Sequence, residues 1–260
     1  VEENMLNWNS NQYLKFKNER TQPAFDLANR ICIDNPKNII DIGCGPGNST
    51  FVLKNRFPNA NIIGIDNSAD MISKAKSKDS SINFVQADVN EFFAECKDKF
   101  DVVFSNACIQ WIPNHKDLLS KLMRILKING VLAIQIPYNY NEPIHKIISK
   151  VTTNSKWKSI FTTLRQKYVL EISEYYDLLS EISSDFQMWQ TVYFHKMTSY
   201  ESILEWYRGT GLRPYLNQLN ENQTAEFEKD IMNEIKQVYS VQSNGEIIFR
   251  FPRLFFIANK

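Results

Sequence analysis

Residues Asn38–Thr50 read NIIDIGCGPGNST, an apolar run that ends in acid Asp41 and then sets glycine at 43, 45 and 47. A short apolar run closed by a turn is the pattern of a strand buried on both faces. Three glycines directly after it let a ligand lie against the main chain, because no Cβ stands in the way. The fold and the ligand both turn on this stretch.

Short apolar runs and helical patterns alternate downstream of it: STFVLKNRF, NIIGID, ADMISKAKSK, INFVQADV, FDVVFSN, KDLLSKLMRILK and VLAIQIP. Leu119, Leu122, Met123 and Leu126 share one helix face. This rhythm predicts a parallel sheet with crossover helices, an α/β fold. Upstream, TQPAFDLANRI predicts a helix capped by Thr21 with Pro23 near its first turn. After Pro137 the rhythm breaks into aromatic, basic and helical sequence. FQMWQTVYFHKM alternates like a half-buried strand, and EIIFRFPRLFFIANK reads as a strand in which Pro252 marks a bulge or an edge. The expected organisation is one domain. Residues 1–30 form an N-terminal helical cover, 31–138 the cofactor-binding core, 139–173 and 199–245 helical cap insertions, and 246–260 a closing strand.

The chain has 260 residues, 43% of them hydrophobic, enough to bury its own core, which predicts a monomer. Thirty basic residues against 29 acidic ones leave a net charge of +1, so no global field attracts nucleic acid or anionic lipid. The first residues show neither a basic nor an apolar leader region and no run approaches a membrane span, so a cytoplasmic protein is expected. Cys32, Cys44, Cys96 and Cys108 form no Cys-x-x-Cys pair and sit beside apolar residues, which predicts core cysteines without disulfide or zinc. His115, His145 and His195 are spaced for neither a metal cluster nor a catalytic triad.

The loop is G-x-G-x-G rather than the dinucleotide G-x-G-x-x-G, which argues against a nicotinamide dehydrogenase. An acid at the strand end suits a ligand with an ammonium group better than a pyrophosphate. S-adenosylmethionine carries an ammonium and a sulfonium and no phosphate. Asp66 closes the next strand, 66 − 47 = 19 residues after the last glycine, where a carboxylate accepts from both ribose hydroxyls. Asp88 closes the third strand, where an acid can accept from the adenine amino group. The expected cofactor set is therefore Asp41, Gly43, Gly45, Gly47, Asp66, Asp88 and Asn106, with Asn67 and Val89 beside the two acids. Each has a plainer reading: tight packing for the glycines, a helix cap for Asp66 with Ser68 as the competing cap, and solvation for Asp88.

Through DIGCGPGNST, GID, QADV and FDVVFSNACIQWIP the chain resembles the class I S-adenosylmethionine-dependent methyltransferases. It is similar in particular to the trans-aconitate methyltransferases, through WNSNQYLKFKNERTQPAFDL, SNACIQWIPNH, TGLRPYL and FPRLFFIA. The resemblance implies a Rossmann-like, mostly parallel sheet with one antiparallel closing strand and helical insertions forming a substrate cap. It also implies S-adenosylmethionine as methyl donor, S-adenosylhomocysteine as product, no metal, and a monomethyl ester of trans-aconitate or a similar small polycarboxylate.

The implied chemistry needs no general base, because a carboxylate is already ionised at pH 7. It needs positioning, and arginine forks suit that task. Arg20, Arg213 and Arg253 lie in the matching stretches and are the expected carboxylate partners. Tyr13, Trp111, Gln110, His195 and Trp206 complete the expected substrate set. Rival readings are a malonyl-thioester carboxyl methyltransferase, which calls for a basic docking surface, and a non-catalytic S-adenosylmethionine sensor. A nucleic-acid amino-methyltransferase is disfavoured, because SNACIQW replaces its acid- or Asn-Pro-Pro-aromatic motif.

Overall fold

The computed structural model describes residues 16–162 and 167–260. Along the chain run α1 (Lys17–Asn29), β1 (Asn38–Ile42), α2 (Asn48–Arg56), β2 (Asn61–Asp66), α3 (Ala69–Lys78), β3 (Asn83–Gln86) and α4 (Val89–Glu95). Next come β4 (Phe100–Asn106), a 3-10 turn (Ile109–Trp111), α5 (His115–Arg124), β5 (Leu126–Pro137) and α6 (Pro143–Thr152). The described chain finishes with α7 (Ile172–Ile182), β6 (Phe186–Met197), α8 (Tyr200–Arg208), α9 (Arg213–Leu216), α10 (Glu221–Val238) and β7 (Ile247–Asn259).

The strands form one sheet in the order β3-β2-β1-β4-β5-β7-β6. The pairs β1 with β2, β1 with β4, β2 with β3 and β4 with β5 are parallel, and β7 runs antiparallel to β5. The predicted α/β sheet with one antiparallel strand is thus the observed one. Chain order reverses between β1 and β4, so the carboxyl ends of these two strands flank the switch point where open α/β sheets place ligands. Both faces of the sheet centre are covered: Ile39, Ile40 and Ile42 of β1 and Val102, Val103 and Phe104 of β4 are all buried.

The chain divides into two compact units. The larger comprises Lys17–Pro137, Lys167–Thr191 and Arg253–Lys260, and holds the glycine loop. Inside it the imidazole of His115, at the start of α5, lies between Tyr175 of α7 and the Ile109 carbonyl. A carbonyl only accepts, so Nε2 carries the proton and Nδ1 accepts from the Tyr175 hydroxyl at 2.5 Å. Burial holds the His115 pKa below its usual value, which keeps this ring neutral.

The second unit includes residues 138–162 and Val192–Pro252. Its core is aromatic and aliphatic: Trp157 and Phe161 meet Phe227 of α10, and Trp206 of α8 meets Phe249 and Phe251 of β7. Arg208 clamps Glu228 through two hydrogen bonds of 2.6 and 2.7 Å, pinning α8 to α10.

Three local expectations are corrected. Leu126, expected on the same helix face as Leu119, Leu122 and Met123, opens β5 instead, because α5 ends at Arg124 and Ile125 caps it. The first helix starts at Lys17, so Thr21 lies inside it and Pro23 is an interior residue. The Lys-Asn-Glu-Arg turn extends the helix upstream, and the Pro ring forgoes one backbone bond. Cys32 is exposed rather than core, because it follows the end of α1.

Candidate active site

The loop after β1 has left-handed backbone at each of its glycines, with φ of 71° at Gly43, 54° at Gly45 and 85° at Gly47. The three need glycine for different reasons. A Cβ on Gly43 would stand 2.2 Å from Cys108 Sγ, and one on Gly47 would press on the rings of Phe51 and Phe84. On Gly45 it would meet nothing within 4 Å. Gly43 and Gly47 therefore serve packing, while Gly45 turns bare backbone toward open space. The loop is tied down by the Gly43 and Cys44 N–H groups, which both donate to the Ile65 carbonyl, and by Lys78 Nζ, which donates to the Pro46 carbonyl.

Asp41 is fully buried. Its Oδ2 accepts from Ser49 Oγ at 2.6 Å and Thr50 Oγ1 at 2.7 Å, which fastens β1 to the first turn of α2. Burial outweighs these two bonds and, helped by the nearby charge of Asp66, lifts the Asp41 carboxyl from its usual 3.8 to about 6. The other carboxylate oxygen, Oδ1, has no hydrogen-bond partner among the described residues.

Asp66 ends β2 with one oxygen accepting from Gly45 N–H and the other from Ser68 N–H, both at 2.9 Å. Ser68, not Asp66, caps α3, accepting from Met71 N–H. Burial raises the Asp66 pKa as well. Each Asp66 oxygen keeps a lone pair beyond these bonds. Asp88 caps α4, with Oδ1 accepting from the N–H groups of Asn90 and Glu91. Asn67 is exposed, with its carbonyl accepting from Gln86, and Val89 is buried in the first turn of α4.

At the end of β4, Ala107 adopts φ 55°, a left-handed conformation that costs a residue with a Cβ about 1 kcal/mol or more. Its N–H donates to the Gln135 carbonyl, and its own carbonyl accepts from Gln110 Nε2 at 2.7 Å. Asn106 Oδ1 and Gln110 Oε1 are buried acceptors without a partner among the described residues. Trp111 is half-buried in the 3-10 turn. With Asp41 Oδ1, these atoms make the ends of β1 and β4 rich in acceptors. Such a surrounding suits an ammonium-bearing ligand and not a phosphate, so the residues present fit S-adenosylmethionine.

The expected substrate residues divide between the two units. Arg20 of α1 and Arg253 of β7 belong to the larger unit, and both are buried. Arg253 Nη1 donates to Gln135 Oε1 at 3.1 Å. Arg213, His195 and Trp206 belong to the second unit. Arg213 is half-buried at the start of α9. The His195 ring stacks on Trp206 at 4.9 Å, and Trp206 is 2% exposed, the surroundings of core residues. Tyr13 lies outside the described residues. Sequence reasoning missed Ser49, Thr50, Ala107 and Gln135. Hydroxyls in the first turn after a glycine loop were a readable signal for the first two, since that turn sits beside the acid closing the strand.

A profile described as a methyltransferase domain matches residues 33–229. The chain is 40% identical over 256 residues to the trans-aconitate 2-methyltransferase of Enterobacter sp. (strain 638), covering 98% of this chain and 99% of that protein. The chain belongs to the trans-aconitate methyltransferase family. As a member of that family it is an S-adenosylmethionine-dependent methyltransferase. Among solved structures, its fold resembles the YcgJ protein of Bacillus subtilis (TM-score 0.60, 16% identity, 92% of this chain and 98% of that one). It also resembles a methyltransferase-like protein of Bacillus halodurans C-125 (TM-score 0.55, 14% identity, 93% of this chain and 99% of that one). Among the described residues no helix is long and apolar enough to cross a membrane.

Proposed function

We propose that this methyltransferase transfers a methyl group to a carboxylate of trans-aconitate or a closely similar small polycarboxylate. The observation that carries the reading is the reach of the similarity. Identity to the Enterobacter trans-aconitate 2-methyltransferase runs over 98% of the chain, well beyond the 33–229 methyltransferase domain.

On this reading Gly45 offers its backbone to the cofactor, Asp66 accepts from the ribose hydroxyls, and Asp88 accepts from the adenine amino group. Asp41, Asn106 and Gln110 supply acceptors for the ammonium end. When bound, S-adenosylmethionine provides an electrophilic methyl: a carboxylate oxygen bonds to that carbon while the carbon–sulfur bond breaks and its electron pair stays on sulfur. No proton moves, so no side chain acts as general base. The task of the chain is orientation. Buried guanidinium groups at Arg20 and Arg253 bind acceptor carboxylates by charge-assisted hydrogen bonds. Arg213 is proposed as a further partner because it lies in the shared stretch TGLRPYL.

The test is to incubate the protein with S-adenosylmethionine and trans-aconitate, cis-aconitate, citrate, isocitrate or a malonyl thioester, and to detect esters by mass. A methyl ester from trans-aconitate is expected. An ester from the malonyl thioester alone, or cofactor binding without any ester, would overturn the reading.

A further inference from the structure

Gln135 is a fully buried amide in the middle of an apolar strand, VLAIQIP. Buried polar side chains persist where they have partners, and this one has a revealing half-set. Its Oε1 accepts from Arg253 Nη1 at 3.1 Å. A guanidinium has only donors, so the amide must present oxygen to Arg253, and its NH2 group turns the other way. That nitrogen is buried and has no acceptor among the described residues.

The sheet register places this amide. Gln135 lies beside Asn106 of β4 and opposite Phe255 of β7, while Arg253 lies opposite Pro137, two residues along from Gln135. Side chains two apart on a strand share a face, so Asn106, Gln135 and Arg253 project from the same side of the sheet. Asn106 and Gln135 lie at the carboxyl ends of the parallel strands β4 and β5, and Arg253 of β7 pairs with Pro137 at the end of β5, the ligand-bearing edge of such sheets.

We propose that Gln135 positions the acceptor and helps set its specificity. Its Oε1 fixes the orientation of the Arg253 guanidinium, and its Nε2 donates to the same acceptor carboxylate. The choice of amide follows from charge. A glutamate here would pair with Arg253, cancel its charge and repel an anionic acceptor. An apolar side chain would keep the volume and lose both the anchor and the donor. The inference rests on the polycarboxylate reading above.

Binding of trans-aconitate to the protein saturated with S-adenosylhomocysteine, measured by calorimetry, separates the two ideas, and steady-state kinetics adds a second readout. Gln135→Met, close in volume, is expected to weaken trans-aconitate binding and raise KM about tenfold. Gln135→Glu is expected to raise KM about a hundredfold. In both variants S-adenosylhomocysteine affinity should stay within about twofold of the parent, which also certifies folding. Should the glutamate variant fail to fold, Gln135→Asn, too short to span both contacts, is expected to behave like the methionine variant. Unchanged KM and acceptor affinity in these variants, with the parent still making the ester, overturn the role of Gln135 alone. Equal loss of cofactor and acceptor affinity also overturns it, since that marks a purely structural residue. Failure of the parent to bind or esterify trans-aconitate overturns both.

Discussion

Replacing Asp41 by asparagine should change the pH dependence of stability in a calculable way. The folded carboxyl titrates at about 6 against 3.8 for an ordinary aspartate. Between these values the folded chain holds a proton that the unfolded chain has lost. The native state therefore binds more protons, and stability falls as pH rises from about 4 to about 6, then levels off with respect to this group. At about 1.36 kcal/mol per pH unit, the gap of about 2 corresponds to about 3 kcal/mol. Asp41→Asn keeps a carbonyl oxygen for the Ser49 and Thr50 hydroxyls and cannot ionise. The assay is urea unfolding of parent and variant at matched pH from 4 to 7.5. Taking the difference cancels the groups not coupled to Asp41, including His115, whose depressed pKa acts with the opposite sign and destabilises as pH falls, and leaves only the smaller coupling to Asp66. The stability of Asp41→Asn relative to the parent should rise by about 2.5 kcal/mol from pH 4 upward, the rest of the about 3 kcal/mol lying below pH 4 where the unfolded aspartate itself protonates, and stay flat above pH 6.5. A difference independent of pH would refute the claim that burial governs this carboxyl.

Further outcomes follow from the glycine loop, from Asp66 and from the buried His115. Gly45→Ala should fold with a loss of about 1 kcal/mol from its left-handed φ, yet bind S-adenosylhomocysteine at least tenfold more weakly. Gly43→Ala should lose considerably more stability, because its Cβ would collide with Cys108; chemical unfolding and calorimetry on both variants check the contrast. Asp66→Ala should reduce S-adenosylhomocysteine affinity by at least tenfold in calorimetry, and an unchanged value would take Asp66 out of ribose binding. Tyr175→Phe removes the hydroxyl that donates to His115 and should cost about 1–3 kcal/mol in urea unfolding, with cofactor affinity preserved.

The sheet was largely legible because parallel strands buried on both faces must be short and apolar, and β1, β2 and β4 have few other ways to be read. The glycine loop was legible for the same kind of reason: left-handed backbone at 43, 45 and 47 leaves little choice of residue. Division of labour among those glycines was not, since the obstacle at Gly43 is Cys108, 65 positions away in sequence (108 − 43 = 65). Asp41 stood out in the sequence as an acid closing a strand before the glycines, but that one of its oxygens belongs to Ser49 and Thr50, brought back by the turn into α2, could not be read there. Gln135 gave no signal at all, because its partner Arg253 lies 118 residues downstream. The capping role expected of Thr21 failed where ordinary helix-forming residues upstream outweighed the proline signal.

The place of β7 in the sheet bears on how the chain acquires its shape. β7 lies between β5 and β6 although it follows both in sequence. A chain emerging from the ribosome therefore completes β5 and β6 well before the strand that joins them exists. Until β7 arrives, β5 presents an open apolar edge, Val131–Ile136, able to pair with any extended neighbour. Closing it means pairing residues more than a hundred positions apart, a contact of high loop entropy and late formation. Vulnerability to misassembly is thus concentrated in the interval between synthesis of Ile136 and synthesis of Leu254, and a holdase acting in that interval would protect this fold more than one acting on the finished chain.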